Sequence, residues 1–282
     1  DSPMSRGLGD VYKRQDRLIS LARRLAPLKS KCESSLRKLV ELDQWLTIGR
    51  WARSVNAVMP EISEHGIAIK EGRHLLIDGV PDPVDYGLGN CADKQDRQSI
   101  ALLTVANSGG KTTMLELLAH CTILAHMGLP VPAKSAKVGR IESLHVLAKA
   151  GGTQSAGALE QTLLQLAEVV SNDNSKLILA DELEAITEPG AGARIIAGML
   201  EAAESHSGTC MLLVTHLAPA IIEAAGKEMR TDGIEARGLD ENLELIVDRT
   251  PRRNHLARST PELIVRRLVC LLYTSPSPRD IG

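Results

Sequence analysis

Phenylalanine does not occur in this chain, and its 282 residues carry only two Trp and three Tyr. With so few rings, the chain cannot bind nucleic acid by stacking successive bases on an aromatic platform. The five cysteines (Cys32, Cys91, Cys121, Cys210 and Cys270) stand far apart, with no C-x-x-C pair. That pattern speaks against a zinc site or a disulfide scaffold and fits reduced thiols in a cytosolic protein. No apolar run approaches the roughly 18–20 residues of a membrane span, and no signal peptide is visible. Charge of one sign is missing too: 33 basic against 35 acidic residues leave a net charge of −2. No global field therefore draws the chain to nucleic acid, and any such contact has to come from a local patch. These absences predict a soluble, cytoplasmic protein with no membrane partner.

What is present begins as pattern. Leu18, Leu21, Leu25 and Leu28, then Leu36, Leu39, Val40 and Leu46, fall at helical spacing with Lys and Arg between them. They predict one or two amphipathic helices from Asp16 to about Val58, with Pro27 as the point of interruption. Residues 1–15 and 270–282 show no periodicity and no join to their neighbours. Both stretches resemble translated adaptor read-through, the alternative being a pair of disordered tails. Gly66–Ile69 and His74–Ile77 read as short strands, and the glycines and prolines between 78 and 98 read as a long irregular connection. From Ile100 onward, strands and helices alternate. A strand at 100–104 leads to a helix ending near Met127. A helix over 158–171 precedes a strand at 176–180, and a helix from about 190 to 205 precedes a strand at 210–214. Short, continuously apolar strands separated by helices predict a parallel sheet covered on both faces. Ile234–Leu239 and Leu243–Val247 form a closing hairpin, and Pro261–Leu268 begins a final helix.

The strand at 100–104 runs into Thr104-Val105-Ala106-Asn107-Ser108-Gly109-Gly110-Lys111-Thr112-Thr113, which has the pattern of a phosphate-binding loop. Backbone N–H groups of such a loop surround phosphate oxygens. Lys111 supplies a point charge for the terminal phosphates, and the Thr112 hydroxyl a ligand for Mg²⁺. Farther on, the apolar strand Leu177–Ala180 ends in Asp181-Glu182. At the carboxyl end of a strand beside the loop, the first acid suits a water-mediated contact to Mg²⁺ and the second suits polarising an attacking water. A third apolar strand ends in Thr215-His216, where an imidazole is placed to hydrogen-bond a γ-phosphate or that water.

Together these residues resemble the ATP-binding-cassette ATPases and, within them, the MutS family. Ala106–Thr113 looks like that family's P-N-x-G-G-K-[ST]-[TV] loop. Asp181-Glu182-Leu183 through Thr187-Glu188-Pro189 is similar to its D-E-[LI]-x-x-x-T-x-P segment, and Thr215-His216 to its T-H switch. Upstream, Glu41-Leu42-Asp43 and Glu71-Gly72-Arg73-His74 resemble the end of the family's lever helix and its E-G-R-H strand. The resemblance covers about residues 33–265. It implies an α/β fold: a P-loop, ABC-type ATPase domain with a mainly parallel sheet flanked by helices. That domain would span 61–269, preceded by a helical lever remnant at 16–60. It further implies ATP and Mg²⁺ as cofactors, with Ala106, Asn107, Ser108, Gly109, Gly110, Lys111, Thr112 and Thr113 around the phosphates. Thr112 and Asp181 would hold the metal, Glu182 the water, and His216 the γ-phosphate. Family members are homodimers whose composite ATP sites each take a signature helix from the partner. Gly151–Ala158 stands where that signature belongs, with Ser155 as its best candidate. The family holds the adenine from the segment before the first strand of the sheet. That leaves two roles open for Tyr86: stacking on the base, or packing under the sheet. The family's substrate is double-stranded DNA, mismatched or branched, held in a clamp; nothing in this sequence resembles the mismatch-reading domain or the small nuclease domain of some members.

One residue departs from the pattern. Val105 stands where G-x-x-x-x-G-K-[ST] has its first glycine. If φ there is positive, a β-branched residue costs on the order of 1–3 kcal/mol; if φ is negative, Val merely ends the strand. A distorted loop would make the chain a nucleotide-sensing module with little turnover, and a third alternative is another cassette ATPase head.

Overall fold

Runs such as Ile100-Ala101-Leu102-Leu103 and Leu177-Ile178-Leu179-Ala180 are apolar at every position, so as strands they need a cover on both faces. The computed structural model supplies it. It describes residues 3–77, 79, 81–105, 110–147, 164, 166–183, 189–239 and 245–257, in two units, Asp1–Ser54 and Val55–Gly282.

The first unit is one helix, α1 (Pro3–Ser54), of 52 residues. It starts ahead of Asp16 and passes through Pro27 without the expected break. Pro27 leaves one carbonyl of the preceding turn without its helical partner. The side chains around it are all exposed, so water reaches that carbonyl and the helix continues. Leu18, Leu21, Leu25 and Leu28, then Leu39, Leu42 and Leu46, line one exposed seam of α1 at the alternating three-and-four spacing of a heptad.

Among the described residues the second unit holds eleven strands. The first three are β1 (Glu61–Ser63), β2 (Ile67–Gly72) and β3 (Val84–Leu88). Then come β4 (Ile100–Val105), β5 (Ser135–Gly139), β6 (Ser143–Leu147), β7 (Lys176–Asp181) and β8 (Thr209–Val214). The last are β9 (Thr231–Ile234), β10 (Ala236–Leu239) and β11 (Leu245–Val247). Its helices include α2 (Lys111–His126), α3 (Pro189–Ser205) and α4 (Ala218–Ala225). The central sheet has the order β6-β7-β8-β4-β9, and every pairing in it is parallel. Ala101, Leu103, Leu177, Leu179, Cys210 and Leu212 point to one face, where they meet Leu117, Leu118 and Cys121 of α2 and Ile67, Ile69 and Leu88 of a second sheet. Leu102, Ile178, Met211 and Leu213 point to the other, against Ile196 and Leu200 of α3 and Ile221 of α4. Strand periodicity thus splits each apolar run between two cores. The fold is the expected P-loop ABC-type α/β domain with a mainly parallel sheet flanked by helices.

The second sheet, β1-β5-β2-β3, departs from the sequence reading in four places: β1 and β5 carry no strand expectation, and two segments between 74 and 88 differ. His74–Ile77 is a turn instead of a strand: the Leu76 N–H donates to His74 Nδ1 at 3.2 Å, and Leu76 is exposed. Within the segment read as irregular, β3 pairs antiparallel with β2, because Val84, Tyr86 and Leu88 alternate inward between the glycines. The hairpin β10–β11 forms antiparallel as expected. Pro261–Leu268 and most of the helix expected over 158–171 lie outside the described residues.

Candidate functional site

β4 and β8 pair with Leu103 beside Val214, and β7 and β8 with Asp181 beside Val214. This register sets the carboxyl ends of the three strands side by side, the edge at which open α/β sheets bind ligands. β4 ends at Val105 and α2 begins at Lys111, capped by Gly110 at φ 85°. A Cβ at Gly110 would lie 2.9 Å from the Arg249 guanidinium, the far end of a flexible side chain that can move aside, so it is the left-handed backbone that favours glycine there. Ala106, Asn107, Ser108 and Gly109 lie outside the described residues, as does Ser155.

Val105 is a strand residue. It pairs with Ile234, is 4% exposed in the core, and is not among the described residues with positive φ. Its side chain therefore carries no left-handed strain and fills space between β4 and β9. Val105→Gly is expected to lower stability by about 2–3 kcal/mol through the lost packing and the added chain entropy, read as a shift of the urea midpoint. A more stable glycine variant would show that the valine is strained after all.

Three side chains from three elements converge next to the loop. Lys111 Nζ lies 2.5 Å from Glu182 Oε1, His216 Nε2 lies 2.7 Å from the same oxygen, and Lys111 Nζ also contacts His216 Nε2. An ammonium has three protons and no lone pair, so Lys111 donates to the Glu182 carboxylate. Glu182 follows directly on β7 with φ 45°, a left-handed conformation that costs a non-glycine residue on the order of 1–3 kcal/mol. Its N–H donates to the Val214 carbonyl at 2.9 Å, which holds this backbone in place and turns the carboxylate toward Lys111. Burial alone would raise the Glu182 pKa, but Lys111 and then His216 outweigh it and hold the carboxyl below its ordinary range. Behind this cluster the Thr112 hydroxyl donates to Asp181 Oδ2 at 3.0 Å. A hydroxyl and a carboxylate in contact are hard oxygen donors of the kind Mg²⁺ takes, and that ion needs only one or two carboxylates when phosphates complete its shell. The donor set fits the metal.

Beside Gly110 opens a cavity of about 310 Å³ whose walls include His74, Pro81, Asp82, Val84, Thr113 and Arg249. Tyr86 is not one of its walls. It is 6% exposed in the core, its hydroxyl donates to Asp232 Oδ2 at 3.1 Å, and the Arg230 guanidinium lies 5.3 Å from its ring centre. Burial first, and then Asp232, push the Tyr86 pKa well up. The structure thus brings together Gly110, Lys111, Thr112, Thr113, Asp181, Glu182 and His216 and puts Tyr86 elsewhere. Arg249 and Asp82, 3.8 Å apart, were not readable as site residues, since neither stands in a local pattern. His74 carried a signal through the E-G-R-H segment.

Sequence comparison gives the setting. The model of the family described as MutS domain V matches residues 101–250. The chain is 43% identical over 251 residues to the DNA-binding protein MutS2 of Pyrococcus furiosus, covering 87% of this chain and 43% of that protein. It is 29% identical over 228 residues to the endonuclease MutS2 of Clostridium beijerinckii (76% of this chain, 27% of the relative). It is 26% identical over 239 residues to the DNA mismatch repair protein MutS of Acetivibrio thermocellus (80% and 27%). The chain thus spans less than half the length of these relatives.

Proposed function

The chain belongs to the MutS family through its domain V, and from that premise we propose that it binds ATP with Mg²⁺ at the carboxyl edge of the central sheet and hydrolyses it. The observation that carries this reading is the meeting of Lys111, Glu182 and His216 at one carboxylate oxygen beside the loop. In this reading Ala106–Gly110 and Thr113 surround the phosphates, and Lys111 turns from Glu182 to the β- and γ-phosphates. That exchange leaves the Glu182 carboxylate to accept a proton from the attacking water. Water adds to the γ-phosphorus as its bond to the bridging oxygen breaks, giving ADP and phosphate, and His216 donates to a γ-phosphate oxygen. Thr112 and Asp181 would hold Mg²⁺, which neutralises charge on the phosphate oxygens. The cavity beside Gly110 takes the nucleoside, with the Arg249 guanidinium as the planar group against the base. The strand backbone at Val105 supports turnover over the reading of a sensor with little turnover.

The larger setting is proposed on the same premise: a homodimer with composite sites completed by the partner's Ser155 region, and ATP turnover coupled to movement of a clamp on mismatched or branched double-stranded DNA. Residues 16–60 then serve as the lever remnant, and the protein works in the cytoplasm. Among the described residues no helix is long and apolar enough to cross a membrane.

Mg²⁺-ATP turnover measured beside nucleotide affinity is the direct test: no hydrolysis, alone or with the partner segments restored, would sink the enzyme reading. Lys111→Ala is expected to weaken ATP binding about 10–100-fold, the worth of a charge-assisted contact to phosphate, with a lower thermal midpoint from the loss of the ion pair to Glu182. Equal affinity in the variant would move the phosphate site away from Lys111.

A further inference from the structure

The E-G-R-H segment takes no part in the phosphate chemistry, yet one of its side chains lines the cavity beside Gly110 and another holds a residue of its wall. Arg73 donates from Nη1 to the Pro81 carbonyl at 3.0 Å, and Pro81 lines that cavity. His74 lines it too, with its side chain only 5% exposed. The Leu76 N–H donates to Nδ1, so Nδ1 is the lone-pair nitrogen and Nε2 carries the proton. That proton goes to Glu116 Oε2 at 2.9 Å. Glu116 lies on α2 about one helical turn beyond Thr112 and Thr113. One turn farther, the His120 ring stands 5.2 Å from that of His74. Burial, and then its neighbour His74, hold the His120 pKa below the ordinary imidazole value, so it brings no lasting positive charge to compete for Glu116.

We propose that His74 is a positioning residue for the nucleotide. Pinned at both nitrogens, it joins the nucleoside wall to the turn of α2 that follows Lys111 and Thr112, so that base and phosphates meet one rigid frame. This rests on the reading that the cavity takes the nucleoside of ATP. The two nitrogens do separable jobs, and amide side chains tell them apart. Gln at 74 reaches Glu116 with an N–H in place of Nε2–H, whereas Asn reproduces only the short-range acceptor for Leu76.

The test uses the full chain and its His74→Ala, His74→Gln and His74→Asn variants. Affinity for a fluorescent ATP analogue is measured beside KM, kcat and the thermal midpoint. His74→Ala is expected to raise Kd and KM about tenfold, as for one lost hydrogen bond to a charged group, with kcat within about twofold. His74→Gln should recover most of that affinity and His74→Asn little of it. Glu116→Ala should match His74→Ala, and the double variant should lose no more than either alone. Wild-type affinity in His74→Ala, recovery by Asn but not Gln, or a fall in kcat with KM unchanged each overturns the proposal. If His74→Ala does not fold, the comparison of Gln with Asn decides alone. A wild-type chain that binds no nucleotide overturns the ATP reading and this inference with it, so the two failures are distinguishable.

Discussion

Glu182→Gln is expected to lower Mg²⁺-ATP turnover by about 10²–10⁴-fold, the contribution of a positioned general base, while ATP still binds. The amide keeps the size of the side chain and loses the proton acceptor, so the fall belongs in kcat. Affinity should stay within a few-fold of wild type or improve. In the native chain the Glu182 carboxylate holds Lys111 at 2.5 Å, and phosphate has to displace it. A neutral amide competes less for the ammonium. Single-turnover phosphate release beside nucleotide binding reads both effects, and a variant that hydrolyses at the native rate would remove Glu182 from the chemistry. The same contacts set a pH dependence of stability. The folded pKa of Glu182 lies below its ordinary value, so its stabilising contribution is present above that ordinary value. It is lost as pH falls through the lowered one.

The largest effect on stability is expected at Asp232, on β9 next to the loop strand. Asp232→Ala should cost about 3–5 kcal/mol, read from urea unfolding. Its carboxylate is 1% exposed and accepts from Arg230 Nη2 at 2.8 Å, from Arg230 Nε at 2.9 Å and from the Tyr86 hydroxyl at 3.1 Å. Removing it leaves a guanidinium that is only 3% exposed facing the Asp96 carbonyl at 2.9 Å and the Asp96 carboxylate at 3.8 Å. The cost lies in a buried charge left with only the longer Asp96 contact, so Asp232→Leu combined with Arg230→Met should cost much less than Asp232→Ala alone. Equal losses in the two would show that the site is sensitive to shape instead of charge.

Where the sequence was readable, one local rule decided the outcome. Runs apolar at every position are incompatible with a strand that faces water on one side, so β4, β7 and β8 are legible as strands of a parallel sheet. The phosphate loop, Asp181-Glu182 and His216 were legible for the same reason, since each stands at the end of such a run. The misreadings came from competing local signals. Gly79, Pro81, Pro83 and Gly87 masked the alternation of β3. β9, with Thr231-Asp232-Gly233, was too polar to read as a strand, although parallel pairing to β4 buries it. Two roles stand open in the sequence for Tyr86, a lone aromatic ring ahead of the loop strand, because no local pattern announces that Asp232, far along the chain, accepts from its hydroxyl.

The sequence by itself determined the class of the fold, the alternation of strand and helix around β4, β7 and β8, and the kinds of side chain that end those three strands. These follow from hydrophobic periodicity and from the donors and charges that phosphate and Mg²⁺ require, and both are properties of short segments. Tertiary structure alone decided which of those ends become neighbours, through the order β7-β8-β4. It also settled Val105 as an extended strand residue and drew Arg249 and His74 to one cavity. The physical reason is that backbone dihedrals, ion pairs and cavities depend on groups far apart in sequence, and packing is what brings those groups together.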